Sequence, residues 1–272
     1  MNIDHTNAPL DAAQLATANT TAAALTSPTA QELATVSFAQ LGLNAELQSS
    51  AVRAGFTSPT PVQVEAIGPV LKGRDVLAQA QTGSGKTAAY VLPVLQLLMA
   101  TAASRDEAPK KRTTQVLVLV PTRELATQVS DVLRDLARPL AQSIKVGTLF
   151  GGVSINPQMM SLRSGADVVV ATPGRLLDIV DHNALNLGHV QHLVLDEADR
   201  LLDLGFSEEL QRILALLPAK RQNLLFSATF EPAVQTLAEA LLQNPERITI
   251  AHTEAHAPDL AQRAISVDEK SR

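Results

Sequence analysis

The sequence predicts an α/β fold on a doubly wound parallel sheet, and three observations predict it. From Val76 onward, short β-branched or leucine-rich runs alternate with helical patterns, joined by polar or glycine-containing turns. The runs read as continuously apolar rather than alternating, as strands covered on both faces do. The sharpest polar motifs sit at the C-terminal ends of these runs, where open α/β sheets place their ligands.

Taken in order, the predicted strands are residues 75–80, 116–120, 146–150, 168–171, 193–196, 223–227 and 247–251. The helical patterns between them cover residues 87–102, 125–140, 207–217 and 232–243. Ahead of them, residues 1–36 form an Ala/Thr/Asn/Gln tract with few large apolar side chains, a composition that does not offset the entropy of ordering. This tract is expected to be a disordered extension, with at most a short helix over residues 30–35. Residues 37–254 form the expected folded domain.

Composition narrows the function classes. The chain has 272 residues and 46% hydrophobic content, enough for one α/β domain with a sizeable core and a tail. Zero cysteines exclude a disulfide framework and a thiolate metal site. Neither a signal peptide nor an apolar run of about 18 residues is expected, so the reading is a soluble, cytoplasmic protein away from membranes. The net charge of −5 argues against a nucleic-acid binder. Much of that charge belongs to the tail: residues 1–52 carry Asp4, Asp11, Glu32 and Glu46 and no lysine or arginine, leaving a nearly neutral body. The six histidines lack ligand spacing with carboxylates and are assigned to neither metal nor catalysis.

Two motifs carry the chemistry. Residues 80–87 (AQTGSGKT) follow a predicted strand and open a predicted helix, the context of a phosphate-binding loop. Gly83 and Gly85 let successive amides converge on phosphate oxygens, with Thr82 and Ser84 between and beside them, and the helix N-terminus adds partial positive charge. Lys86 would reach the β and γ phosphates, and Thr87 would place its hydroxyl on magnesium. The usual first glycine is Ala80, so a glycine-rich turn with an exposed lysine stands as the alternative. Residues 196–199 (DEAD) end the run HLVL. There Asp196 would hold magnesium, commonly through water, and Glu197 would orient and deprotonate an attacking water. The alternative for an acidic residue at this place is a cap on the helix beginning near Ala198.

These residues and others in the same order resemble the DEAD-box ATP-dependent RNA helicases, specifically their N-terminal RecA-like P-loop NTPase domain. Residues 55–63 (GFTSPTPVQ), containing Phe56, Thr60 and Gln63, resemble the Q motif, with Phe38 upstream. Pro121, Thr122 and Arg123 of PTRELA, the Gly151–Gly152 pair, and Thr172, Pro173, Gly174 and Arg175 of TPGR resemble RNA-binding motifs. Ser227 and Thr229 of SAT resemble the motif that couples ATP to RNA, with Asp199 as a partner. Residues 153–160 and 200–206 bring the bacterial RhlE-type enzymes closest.

The resemblance implies ATP or ADP with Mg²⁺ as cofactors and Lys86, Asp196 and Glu197 as the catalytic groups. Gln63 would bond adenine through its amide's donor and acceptor together, rejecting guanine. Phe38 packs either on the base or in the core. The TPGR turn would bind an RNA phosphate through free amides and the Thr172 hydroxyl, without reading bases. Arg123 and Arg175 have an intramolecular alternative, bridging to Glu124 or Asp178. Residues 255–272 look like the start of a linker to a second RecA-like domain, which would supply arginine fingers. Without it the chain is expected to bind nucleotide and hydrolyse very little. A DNA translocase and a non-catalytic nucleotide-gated RNA clamp are the rivals.

Overall fold

The computed structural model describes residues 36–103 and 112–250. The expected extension over residues 1–36, apart from its last residue, the helix over 30–35, the end of the domain at 254 and the linker over 255–272 lie outside the described residues.

The elements in order are α1 (Ala45–Arg53), α2 (Pro61–Leu71), β1 (Val76–Gln79), α3 (Lys86–Ala103), β2 (Val116–Leu119), α4 (Arg123–Ala137), β3 (Val146–Leu149) and α5 (Ile155–Ser161). They continue with β4 (Val168–Ala171), α6 (Pro173–Asp181), β5 (His192–Leu195), α7 (Ala198–Asp203), α8 (Ser207–Leu216), β6 (Gln222–Ser227), α9 (Pro232–Leu241) and β7 (Glu246–Thr249). The seven strands form one sheet in the order β3-β4-β2-β5-β6-β1-β7. Each neighbouring pair is parallel.

Alternate residues of each central strand feed opposite cores, as the period of two requires. Val116 and Val118 join the core that α1, α2, α3 and α4 cover. Leu117 and Leu119 join the other, covered by α6, α7, α8 and α9. The rule of continuous burial fails at the two edges. In β3 (VGTL) only alternate residues are buried, and in β7 (ERIT) only Ile248 is. An edge strand has a neighbour on one side only, so these two tolerate the polar residues that central strands exclude.

Helix ends follow local chemistry. The Thr122 hydroxyl accepts from Leu125 N at 3.2 Å and starts α4 two residues earlier than its hydrophobic pattern suggests. Asn44 likewise caps α1 by accepting from Leu47 N at 2.9 Å. Pro173 and Pro232 occupy the first positions of α6 and α9, where a missing N–H costs nothing. Helices α1, α2 and α5 were not among the patterns read from sequence. In α2, Pro69 and Gly68 interrupt the helical signal, and its buried face supplies what propensity lacks.

Candidate functional site

The motif-bearing turns line up along the C-terminal edge of the sheet, and strand order divides them. β1, β6 and β5 are adjacent and carry the phosphate-loop, SAT and DEAD turns. β2, β4 and β3 lie beyond β5 and carry the PTRELA, TPGR and Gly-Gly turns.

At the end of β1, Gly83 and Gly85 have φ of 85° and 93°, a region that L side chains rarely enter. The reversal at Gly85 hands the chain into α3 at Lys86, which is buried and donates from Nζ to the Ala80 carbonyl at 2.8 Å. The exposed-lysine alternative therefore fails: the lysine folds across its own loop. Gln63 is also buried, with both ends of its amide engaged. Its Oε1 accepts from Thr60 N at 3.1 Å, and its Nε2 donates to Gly85 O at 3.1 Å. The glutamine thus braces the phosphate loop from the N-terminus of α2. The two aromatics serve packing: Phe38 is a core residue and Phe56 lies half-buried against the same core.

At the end of β5, Asp196 is fully enclosed and each carboxylate oxygen accepts one bond. Oδ1 takes the Glu197 amide at 2.9 Å, and Oδ2 takes the Tyr90 hydroxyl at 2.8 Å. Burial pushes the Asp196 carboxyl above its ordinary range, opposed by the Tyr90 hydrogen bond and the nearby positive charge of Lys86. Burial also raises the Tyr90 phenol, reinforced by the Asp196 charge. Glu197 stands in left-handed backbone, φ 51° and ψ 54°, which costs about 1–2 kcal/mol for a residue with a Cβ. It makes no side-chain cap to α7, and its Oε2 instead receives Arg200 Nη1 at 2.7 Å. The helix-cap alternative for this glutamate is excluded. Asp199 ties β5 to the SAT turn. Its Oδ2 accepts from Ala228 N at 3.2 Å, Thr229 N at 3.0 Å and the Thr229 hydroxyl at 3.2 Å, while its own amide donates to the Ser227 hydroxyl at 3.2 Å.

On the other half of the edge the expected arginines behave differently. Arg123 is exposed, 3.8 Å from Glu124 and 5.7 Å above the Phe150 ring. Arg175 is turned inward, its side chain only 9% exposed. Its Nη2 donates to Val153 O at 2.8 Å and its Nε lies 3.5 Å from Asp178, so the intramolecular alternative holds for it. It ties the TPGR turn to the chain just after Gly151–Gly152, which are exposed, with Gly152 at φ 79°. Thr172 and Pro173 are buried, Gly174 is half-buried, and nothing lies within 4 Å of where a Gly174 Cβ would be.

A family model described as DEAD/DEAH box helicase matches residues 60–237, a span from the N-cap of α2 into α9 that takes in every turn of this edge. The chain belongs to the DEAD/DEAH box helicase family. Among its DEAD-box relatives, it is 40% identical over 235 residues to the DEAD-box ATP-dependent RNA helicase CshA of Streptococcus pneumoniae, covering 86% of this chain and 43% of the relative. It is 41% identical over 225 residues to the ATP-dependent RNA helicase DeaD of Escherichia coli, covering 83% and 34%. Against the crystal structure of a DEAD box protein from the hyperthermophile Methanococcus jannaschii, the TM-score is 0.70 at 34% identity, covering 78% of this chain and 55% of that one. The chain spans less than half the length of these curated relatives.

As a DEAD-box domain, the chain holds groups that fit a magnesium nucleotide. Lys86 has three N–H donors and one partner on the loop, and each Asp196 oxygen keeps a lone pair beyond its single bond. The positive charge of Lys86 lies close enough to Asp196 to favour its carboxylate across the β1 and β5 ends. The predicted residues Lys86, Thr87, Asp196 and Glu197 are thereby brought together, and Asp199, Ser227 and Thr229 form one connected cluster. Sequence reasoning missed Tyr90 and Arg200. A spacing signal exists for Tyr90, three residues after Thr87 on the same helix; Arg200 is three after Glu197, but Glu197 stands outside α7 in left-handed backbone. Two concavities, of about 540 and 160 Å³, lie away from this edge, around Met159, Arg163 and Asn183 and around Thr113, Gly165 and His189. Neither takes in a residue of the phosphate-loop, DEAD, SAT, PTRELA, Gly-Gly or TPGR turns. Among the described residues no group of three or more His, Cys, Asp or Glu side chains is placed to hold a metal. No described helix is long and apolar enough to cross a membrane.

Proposed function

We propose that this chain is the ATP-binding RecA-like domain of an RNA helicase that couples ATP binding and hydrolysis to local separation of an RNA duplex. The observation that carries the reading is the meeting of Lys86, from the phosphate loop, with the acidic end of β5. The amides of residues 82–87 and Lys86 would hold the phosphates of ATP or ADP, with Lys86 leaving the Ala80 carbonyl for the β and γ oxygens. Thr87 and Asp196 would hold magnesium, whose charge neutralises the developing negative charge of phosphoryl transfer. Glu197 would orient the attacking water, with Arg200 fixing its carboxylate. Gln63 would carry the choice of adenine, its bonds to Thr60 and Gly85 linking base recognition to the loop.

RNA would lie over β2, β4 and β3, held by amides of the TPGR turn and by the Gly151–Gly152 loop. Arg175 serves as the brace between these two rather than as a direct contact. Backbone contacts of this kind position a strand without reading sequence. The remaining clamp and the arginine fingers would come from a second RecA-like domain, and because such a finger contributes about 10³–10⁵ in rate, this chain alone should turn over ATP very slowly. The closer likeness to RhlE-type enzymes rests on residues 153–160 and 200–206.

The test is Lys86→Ala. It should abolish ATP binding by calorimetry while far-UV circular dichroism stays unchanged. Undiminished affinity would remove Lys86 from the site and the reading with it.

A further inference from the structure

The one tyrosine of the chain stands where the nucleotide reading has no use for it. Tyr90 is 1% exposed on the inner face of α3, one turn after Thr87. Its hydroxyl donates to Asp196 Oδ2 at 2.8 Å. Its ring packs on Phe226, centroids 5.2 Å apart at 53°, within the range of a favourable tilted pair. Phe226 immediately precedes Ser227 of the SAT turn.

A ring buried on β6 gives its hydroxyl a fixed place. That hydroxyl holds one Asp196 oxygen while the Glu197 amide holds the other, so the plane of the carboxylate is set from both sides. As donor to Asp196, the phenol fixes one of the two side chains assigned to magnesium. A phenylalanine would fill the same space and leave Asp196 Oδ2 unheld, with only the Glu197 amide on the other oxygen.

We propose that Tyr90 is a positioning residue for the divalent cation: its hydroxyl holds the Asp196 carboxylate in the orientation that magnesium requires. The inference rests on the assignment of Thr87 and Asp196 as the magnesium-holding pair. Partners that orient metal ligands typically contribute about 10- to 100-fold in metal affinity. Tyr90, acting through ligands that share the ion with water and phosphate, belongs at the low end.

The experiment titrates MgCl₂ into the full chain with saturating ADP, for wild type and Tyr90→Phe. The chain has one tyrosine and no tryptophan, so the emission of Tyr90 reports directly on its own hydrogen bond. A carboxylate acceptor quenches tyrosine, and a cation that draws on Asp196 should brighten it. The expected result is a Mg²⁺-dependent rise in wild-type emission. In Tyr90→Phe, followed with a fluorescent ADP analogue, the Mg²⁺ midpoint should move up about tenfold, and nucleotide affinity in EDTA should stay within about twofold of wild type, since Tyr90 touches no phosphate-loop amide. A structural role alone would lower the melting temperature and leave the Mg²⁺ midpoint in place, and that result overturns the inference. Should Tyr90→Phe not fold, wild-type emission decides: no response to Mg²⁺ overturns it too. If wild type binds ADP equally with Mg²⁺ and with EDTA, the assignment of Thr87 and Asp196 falls first.

Discussion

Gly85 is the point where the Q-motif helix and the phosphate loop touch, and replacing it by alanine measures that contact. At φ 93° an added Cβ costs about 1–2 kcal/mol in backbone strain alone. It would also stand 2.6 Å from Gln63 Nε2 and 2.8 Å from Thr60 Oγ1. The glutamine is buried and must retreat, losing its bonds to Thr60 N and Gly85 O, each contributing about 1 kcal/mol. Gly85→Ala should therefore destabilise by about 3–4 kcal/mol. Gly83→Ala is the control: φ is 85°, but nothing lies within 4 Å of its Cβ position, so only the strain of about 1–2 kcal/mol applies. Any effect of alanine on the unfolded chain is shared by both variants and cancels. Urea unfolding without nucleotide gives both values, and adding Gln63→Ala to Gly85→Ala should recover about 1 kcal/mol of the excess. Equal destabilisation by the two glycine variants would refute the bracing contact between α2 and the loop.

Asp199→Ala removes the acceptor of three bonds from the SAT turn and should cost about 2 kcal/mol of stability. In a protein carrying a second RecA-like domain it should uncouple RNA stimulation from ATP turnover, read by a phosphate-release assay with and without RNA. Gln63→Ala should erase the preference for ATP over GTP in calorimetry; unchanged discrimination would move base reading elsewhere. His192 is held below its ordinary pKa of about 6.5 by burial, partly offset by its bond to Gln222 Oε1 at 2.9 Å. The folded state then takes up a proton less readily than the unfolded one. Stability should be full above pH 7 and fall as pH drops through 6.5, and His192→Gln should flatten that slope in melts between pH 5 and 8.

Much of the fold was legible because central strands such as VLVL and VVVA carry an unbroken apolar signal, and because Pro232 marks a helix start. Both edge runs were legible as strands too, but not their exposure: ERIT and VGTL each have one neighbour, β1 or β4, and are only partly buried. At the site, sequence identified the groups at the β1 and β5 ends but not their direction. Arg123 and Arg175 look alike in the chain, yet one faces solvent and the other is drawn under the Gly-Gly loop, which packing alone decides.

What the sequence by itself determined was the inventory: a phosphate loop, an acidic pair at a strand end, and turns rich in free amides. Each is a local property, a few adjacent residues whose backbone and side chains have the chemistry that suits one kind of group. What only the tertiary structure decided was their grouping. Along the chain the motifs alternate, nucleotide residues at 63 and 80–87, turns at 121–123, 151–152 and 172–175, then the acidic pair at 196–197. The sheet order β3-β4-β2-β5-β6-β1-β7 sorts them into two contiguous halves of one edge. Parallel strands need crossovers, and crossovers permit sequence neighbours to be spatial strangers. The same geometry brings Tyr90 onto Asp196, 106 residues away, a contact that no local pattern records.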